Sequence, residues 1–540
     1  MGLIEIVLGL LVVVVALVTI ARKVGVPYPI LLVLGGLALA VVPNLPRMEL
    51  DPNIVLLLFL PPLVTAAAFD TSLRDLRANL GYIVLLAFGL VFFTMLVVAV
   101  VAHQAIGLAW APAFVLGIVV SPTDAVAVTA VAQRLRVPPR IITILEGEGL
   151  LNDAATFVTY RVLVAAAVTG LFSWPAAGLQ FVWSVIGGTV VGLGVGYVFA
   201  WVRTHLDDPP VEITISLLMP FAAYLAAEVL ATSGIVATMA AGLYVGRRSS
   251  DPRFLSAGTR LQIRAIWGMM VFLLNGLAFI LIGLQLPIIV AQLANRALPD
   301  LLRDALVISL TIILVRIVWA VPTAYLPHAL GGAPRPTAKP APPVPARAPG
   351  KLWREAAVIA WAGMRGVDSL AAALALPLLT AAGTAFPDRD LILFLTFCII
   401  LVTLVLQGLS LTPLIRLLRL KEDGGAEREE AKARLKSSRA GSARLEELAR
   451  EDWLPEALLD DLRSHYAERI RHQSSTLDGT AARERQLAEE HTSAYRRAQR
   501  ELLGAERQEL IRLRNQGTIN DEVLRAVQRD LDLEESLLGE

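Results

Sequence analysis

Residues 121–131 read SPTDAVAVTAV and residues 146–158 read EGEGLLNDAATFV, two apolar runs interrupted by acids, amides and hydroxyls. At 3.6 residues per turn, Gly149, Asn152, Asp153 and Thr156 fall at i, i+3, i+4 and i+7 and form one small or polar stripe on an apolar helix. Hydrogen-bonding glue between helices accounts for Asn152 and Thr156 but suits a carboxylate poorly, so the stripe is expected to face a cavity. Glu148 lies five positions before Asp153, about 140° around the axis. It therefore faces elsewhere and needs its own partner, which Arg316 or Arg365 can supply. A paired Glu148 would be structural, whereas an unpaired Asp153 beside Asp124 could hold either a proton or a cation. Pro122 removes a backbone donor and is expected to bend or unwind the helix at Ser121–Asp124. Gly363 and Gly366 can do the same around Arg365. Two broken helices in corresponding late positions of two halves point to an inverted repeat with a site at mid-membrane.

Around these stretches the chain runs to 540 residues, 56% hydrophobic and 18% charged, with a mean hydropathy of +0.63. That balance lies outside the range of an ordinary water-soluble domain, and a bilayer must be the solvent. A helix needs roughly 17–25 apolar residues to cross ~30 Å of hydrocarbon. Thirteen such runs emerge, near 3–20, 28–43, 53–69, 80–104, 110–133, 141–170, 179–202, 211–230, 233–246, 265–290, 301–327, 354–383 and 390–418. The first is read as a retained span, because Glu5 interrupts its start, no basic residue precedes it and no small-residue cleavage site follows. The expected fold is an all-α polytopic membrane protein with two broken helices and a helical cytoplasmic tail.

Lys and Arg should collect on the cytoplasmic side. With the amino terminus outside, the cytoplasmic loops carry eighteen of them, including Arg22, Lys23, Arg74, Arg77, Arg203, Arg247 and Arg248. The external loops carry only Arg47, Arg296, Arg303 and Arg389. An odd number of spans then puts the carboxyl terminus in the cytoplasm. Residues 331–350 contain seven prolines and read as an extended cytoplasmic linker within the membrane region 1–420. Residues 421–540 hold 48 of the chain's 95 Asp, Glu, Lys and Arg and read as a tail of solvated helices, a soluble appendage or a dimer contact.

Ionisable residues inside spans cost about 2.5–3.5 kcal/mol each on insertion scales, so each is a functional candidate. Besides the residues above, these are Glu228, with Tyr224 one turn earlier, Arg161, Arg316, Arg365 and Asp368. Gly188, Gly192 and Gly196 suit close helix packing, and His103, His205 and His328 at span ends are assigned no role. The net charge of +1 with no basic face argues against nucleic acid, and the single cysteine, Cys398, cannot form an internal disulfide or a zinc site. No HExxH, GxSxG or GxxxxGK[ST] pattern is present to carry a hydrolase or an ATP-driven pump.

Together with residues 364–377, MRGVDSLAAALALP, the two opening segments resemble the signature segments of bacterial sodium/proton exchangers of the first cation:proton antiporter family. The resemblance covers most of residues 1–420 and implies thirteen spans in two inverted six-helix repeats. It also implies a core domain moving against a dimerisation domain, and a homodimer in the plasma membrane. Carried over residue by residue, it makes Asp153 the ion- and proton-binding acid and Asn152 its neighbour. Thr123 and Asp124 become unwound-helix ligands, Asp153 and Asp124 the holders of sodium, and Glu148 and Arg316 a buried ion pair. Arg365, Asp368, Glu228 and Thr156 remain secondary candidates. Two departures stand out: Gly149 replaces a serine common in the family, and Asp368 replaces an apolar residue.

The resemblance implies alternating-access exchange of sodium for protons, with lithium and potassium left open and no cofactor beyond the transported ions. The asparagine at 152 resembles the electroneutral branch, which implies one cation per proton. Exchange at one titrating acid should depend steeply on pH. Two other readings stand beside it: a potassium or broad-specificity exchanger built on the same residues, and a membrane receptor or scaffold signalling through the tail.

Overall fold

In a computed structural model the described residues are 3–42, 52–132, 137–206, 208–249, 257–293, 296–329, 349–420, 425–451, 453–477, 482–516 and a few positions between 518 and 532. Most of the expected linker, 331–348, lies outside them, as do Arg47, Arg134 and Arg136. The described residues contain helices and no β-strand. They divide into two compact units, Met1–Glu422 and Asp423–Glu540.

The first unit opens with α1 (Leu3–Val24), α2 (Tyr28–Ala40), α3 (Pro52–Asp70), α4 (Leu73–Val84), α5 (Val91–Val101), α6 (Trp110–Val119), α7 (Ala125–Ala132), α8 (Pro139–Thr169) and α9 (Trp174–Arg203). It continues through α10 (Pro209–Val229), α11 (Gly234–Arg248), α12 (Ala257–Gln292), α13 (Leu298–Ala329), α14 (Pro349–Trp361), α15 (Val367–Leu374), α16 (Arg389–Val402) and α17 (Gly408–Leu417). The second unit holds α18 (Gly425–Leu448), α19 (Glu456–Leu477) and α20 (Ala482–Asn515).

Among the described residues, eight helical stretches are long and apolar enough to cross a membrane. The thirteen expected runs do not all appear as single long helices: α2 and α11 have only 13 and 15 residues, and two other runs are interrupted. The run 110–133 becomes α6 and α7 on either side of residues 120–124, and the run 354–383 becomes α14 and α15 on either side of 362–366. Both interruptions fall where Pro122 and the Gly363/Gly366 pair predict them.

Helix α13 shows why bilayer is the solvent of this unit. Ile308, Ile312 and Val315 on one face are buried, while Leu306, Leu310, Leu314 and Val318 form a row on the other with 50–66% of their surface exposed. A helix at a water interface would carry polar residues on that outer row, whereas one facing lipid is apolar all round. Inside, small residues let backbones approach: a Cβ at Gly188 would lie 2.8 Å from the Ser233 carbonyl oxygen, and one at Gly196 3.2 Å from Ala241 Cα. These two glycines seat α9 against α11.

Candidate ion site

The two interruptions meet. The Asp124 backbone N–H donates to the Met364 carbonyl at 2.8 Å, and Arg365 Nε donates to the Val120 carbonyl at 3.0 Å. Each break thus satisfies backbone groups that the other has freed, which an interrupted helix in a bilayer requires. Ser121 ties its own break back to α6, donating to the Gly117 carbonyl at 2.6 Å. Gly366 is glycine because of close approach, since a Cβ there would overlap the Asp124 carboxylate. Asp124 caps α7, its Oδ1 accepting from the Ala127 N–H at 3.1 Å, a position that favours negative charge.

Helix α8 runs beside this crossing. Glu148, which the sequence places away from Asp153, faces Arg316 of α13: Nη1 donates to Oε1 at 2.5 Å and Nη2 to Oε2 at 2.9 Å, with both side chains at most 1% exposed. Arg316 also donates to the Ile359 and Ala362 carbonyls at 3.0 and 3.3 Å, so it closes the open end of α14 as well. Of the two arginines open to Glu148 in the sequence, Arg365 is committed instead to Val120 and to the Gly363 carbonyl. The Thr123 hydroxyl donates to Glu148 Oε1 at 3.0 Å and accepts from Asn152 Nδ2 at 2.8 Å, linking the first break to the ion pair.

A cavity of about 570 Å³ lies against the crossing, with Thr123, Asp124, Gly149, Asp153 and Asp368 in its wall. Asp153 is 8% exposed, and its Oδ1 has no hydrogen-bond partner among the described residues. The wall continues to Glu146, two turns before Asp153 on α8, and to exposed Asp70 and Arg264 at the ends of α3 and α12, where the cavity opens. Of the predicted stripe, Gly149 and Asp153 line the cavity. Asn152 turns to Thr123 instead, and Thr156 is fully buried away from it. Gly149 fits because α7 presses on it: a Cβ there would lie 2.7 Å from Ala125 Cβ. Among the described residues no group of three or more His, Cys, Asp or Glu is arranged to hold a metal ion.

Glu228 lies outside this cavity and is ion-paired with Arg161, which also donates to the Thr232 carbonyl at 2.9 Å. Sequence reasoning set Glu228 beside Tyr224 and did not join it to Arg161, because α8 and α10 are separate elements of the chain. It also overlooked Asn275, buried in α12 with its Nδ2 unpartnered among the described residues and lining the cavity. Its signal was a lone amide in the apolar run MMVFLLNGLAFILIG.

A buried carboxylate cavity where two interrupted membrane helices cross is the architecture of a membrane transporter. The model of the transmembrane sodium/hydrogen exchanger family matches residues 9–417, and the chain belongs to that family. It is 38% identical to an uncharacterised Na(+)/H(+) exchanger of Mycobacterium bovis over 98% of this chain and 96% of that protein. It is 34% identical to a sodium, potassium, lithium and rubidium/H(+) antiporter of Bacillus subtilis over 72% of this chain and 57% of that one. The solved sodium proton antiporter MjNhaP1 of Methanocaldococcus jannaschii shares the fold, with a TM-score of 0.58 over 77% of this chain and 98% of that chain at 21% identity.

Proposed function

We propose that this protein is a secondary antiporter that exchanges sodium for protons across the plasma membrane, with Asp153 as the group that holds each in turn. The observation that carries this is the Asp153 carboxylate, buried in the cavity wall with one oxygen unpartnered among the described residues, while Arg316 is held by Glu148 and Arg365 bonds backbone carbonyls. A carboxylate kept from arginine can bind a proton or a cation, and because it cannot hold both, neither crosses alone. Asp124, at the head of α7, is the companion carboxyl of the bound cation. Thr123 and Asn152 shape the site from its far side, and Glu148–Arg316 is its fixed scaffold.

The cavity opens beside Asp70 and Arg264, next to the arginine-rich loops, so this conformation presents the site to the cytoplasm if positive charge lies inside. Alternating access then requires the crossing helices to carry the site to the other side.

The test is dye-monitored antiport in everted vesicles with sodium, lithium and potassium in turn, potassium being included because the Bacillus relative is named for it. Asp153→Asn should insert normally and abolish cation-driven proton movement, since an amide exchanges no proton near neutral pH. Antiport retained by this variant would remove Asp153 from the mechanism.

A further inference from the structure

A second acid enters the same cavity from the other broken helix. Asp368 stands in the first turn of α15, two residues after the Gly366 that touches the Asp124 carboxylate, and it lines the wall that also holds Asp153 and Asp124. The three acids come from three separate elements, and all three line the one cavity. The break at 362–366 is what brings them together. Without it, α15 would continue the line of α14 and could not turn its first residues toward α8.

We propose that Asp368 is a further ion-binding residue of this site and forms a carboxylate pair with Asp153 that shares the exchanged proton and jointly takes the cation. The proposal rests on Asp153 being the exchange site. Two carboxylates facing one another across a cavity resist ionising together and hold a proton in common when no cation is present. A monovalent cation supplies the positive charge that lets both ionise, so its entry releases the shared proton. The pair and its load then carry the same net charge in both states. Asp368 thus restores, from across the cavity, the second acid that Asn152 denies to position 152, without adding a second transported proton.

The other charged groups facing Asp368 do not replace this role. On α8, Glu148 is held by Arg316, Arg161 by Glu228 and Arg140 by Glu355. Glu146 sits two turns from Asp153 toward the cavity mouth. On α3 and α12, Asp70 and Arg264 stand at that mouth, and Arg260 lies a further turn back along α12. On α16, Arg389 donates to the Leu374 and Leu376 carbonyls past the far end of α15, with Asp390 beside it. α6 carries no charged side chain. Asp124, fixed at the head of α7, is the remaining close carboxyl.

Full-length protein reconstituted in liposomes tests this with sodium-driven proton flux read against sodium concentration, pH and imposed potential. Asp368→Asn removes one of two like charges, which loosens the shared proton and weakens the hold on sodium. Half-maximal exchange should move toward acid by about one pH unit, and half-saturating sodium should rise about tenfold, each the equivalent of one pKa unit. Asp368→Glu should recover most of both. Flux through the unaltered protein should not change with potential, because one cation replaces one proton.

An Asp368→Asn protein with unaltered sodium dependence and pH profile would overturn the proposal, as would potential-dependent flux in the unaltered protein, which would mean that each acid releases its own proton. If Asp368→Asn fails to insert, Asp368→Ala carries the same expectations. Asp153→Asn in parallel separates the two readings. If it abolishes flux while Asp368→Asn changes nothing, the exchange site stands and only the pair falls.

Discussion

Two arginine–glutamate pairs in this molecule have nearly the same geometry and opposite meaning. Arg316 grips Glu148 with two nitrogens at 2.5 and 2.9 Å inside the membrane unit, and Arg463 grips Glu446 with two nitrogens at 2.9 and 2.8 Å between α18 and α19 of the tail. The first pair is at most 1% exposed; in the second the side chains are 42% and 52% exposed. Water and salt screen the tail pair, so either partner can be lost at little cost. Neither partner of the buried pair can be removed without stranding a charge in hydrocarbon. The lesson is that a fork of two hydrogen bonds says little about stability until its solvent is known.

The largest effect on stability should come from Glu148→Ala, which leaves Arg316 buried and uncompensated at a cost of about 3–5 kcal/mol. Yield of inserted protein, read by fluorescence-detected size exclusion, should collapse. A normal yield with altered cation affinity would instead make Glu148 a ligand. Replacing both partners, Glu148→Leu with Arg316→Met, removes the stranded charge and should recover part of that yield. Recovery should stay incomplete, because Thr123 and the Ile359 and Ala362 carbonyls lose their partners as well.

Gly149→Ser comes next. It restores the residue common in the family, yet its Cβ would press on Ala125 Cβ, and overpacking of this kind costs about 1–3 kcal/mol. A lower thermal midpoint and weaker transport are expected; a gain in sodium affinity at unchanged stability would show that α7 yields freely. Arg463→Ala should leave transport and membrane insertion untouched. The Arg463 hydrogen bond holds the Glu446 carboxyl below its ordinary value. What the pair contributes is therefore present at neutral pH and fades as pH falls through the depressed value, a change that circular dichroism of the tail at low and high salt would follow. Smallest of all, removal of residues 421–540 should preserve antiport in vesicles, whereas a receptor acting through its tail would lose its output.

Periodicity alone placed Asp153 on a polar stripe and turned Glu148 away from it, because a helix fixes angular position regardless of what surrounds it. Pro122 and the glycines at 363 and 366 likewise located both breaks. Neither signal reaches across the chain. Nothing local in α8 distinguishes Arg316 from Arg365 as the partner of Glu148, or joins Arg161 to Glu228, since those pairings depend on which helices become neighbours. The same holds for Gly149, which reads as a departure from the family in sequence and as a contact surface for Ala125 in space.

By itself, then, the sequence determined what is carried within single helices: membrane solvent from hydropathy, the candidate acid from its stripe, the interruptions from proline and glycine. Only the tertiary structure decided which charges neutralise one another and which are left facing the cavity. In a medium without water every buried ion must find its partner inside the protein, and that choice belongs to the packing of helices distant in the chain.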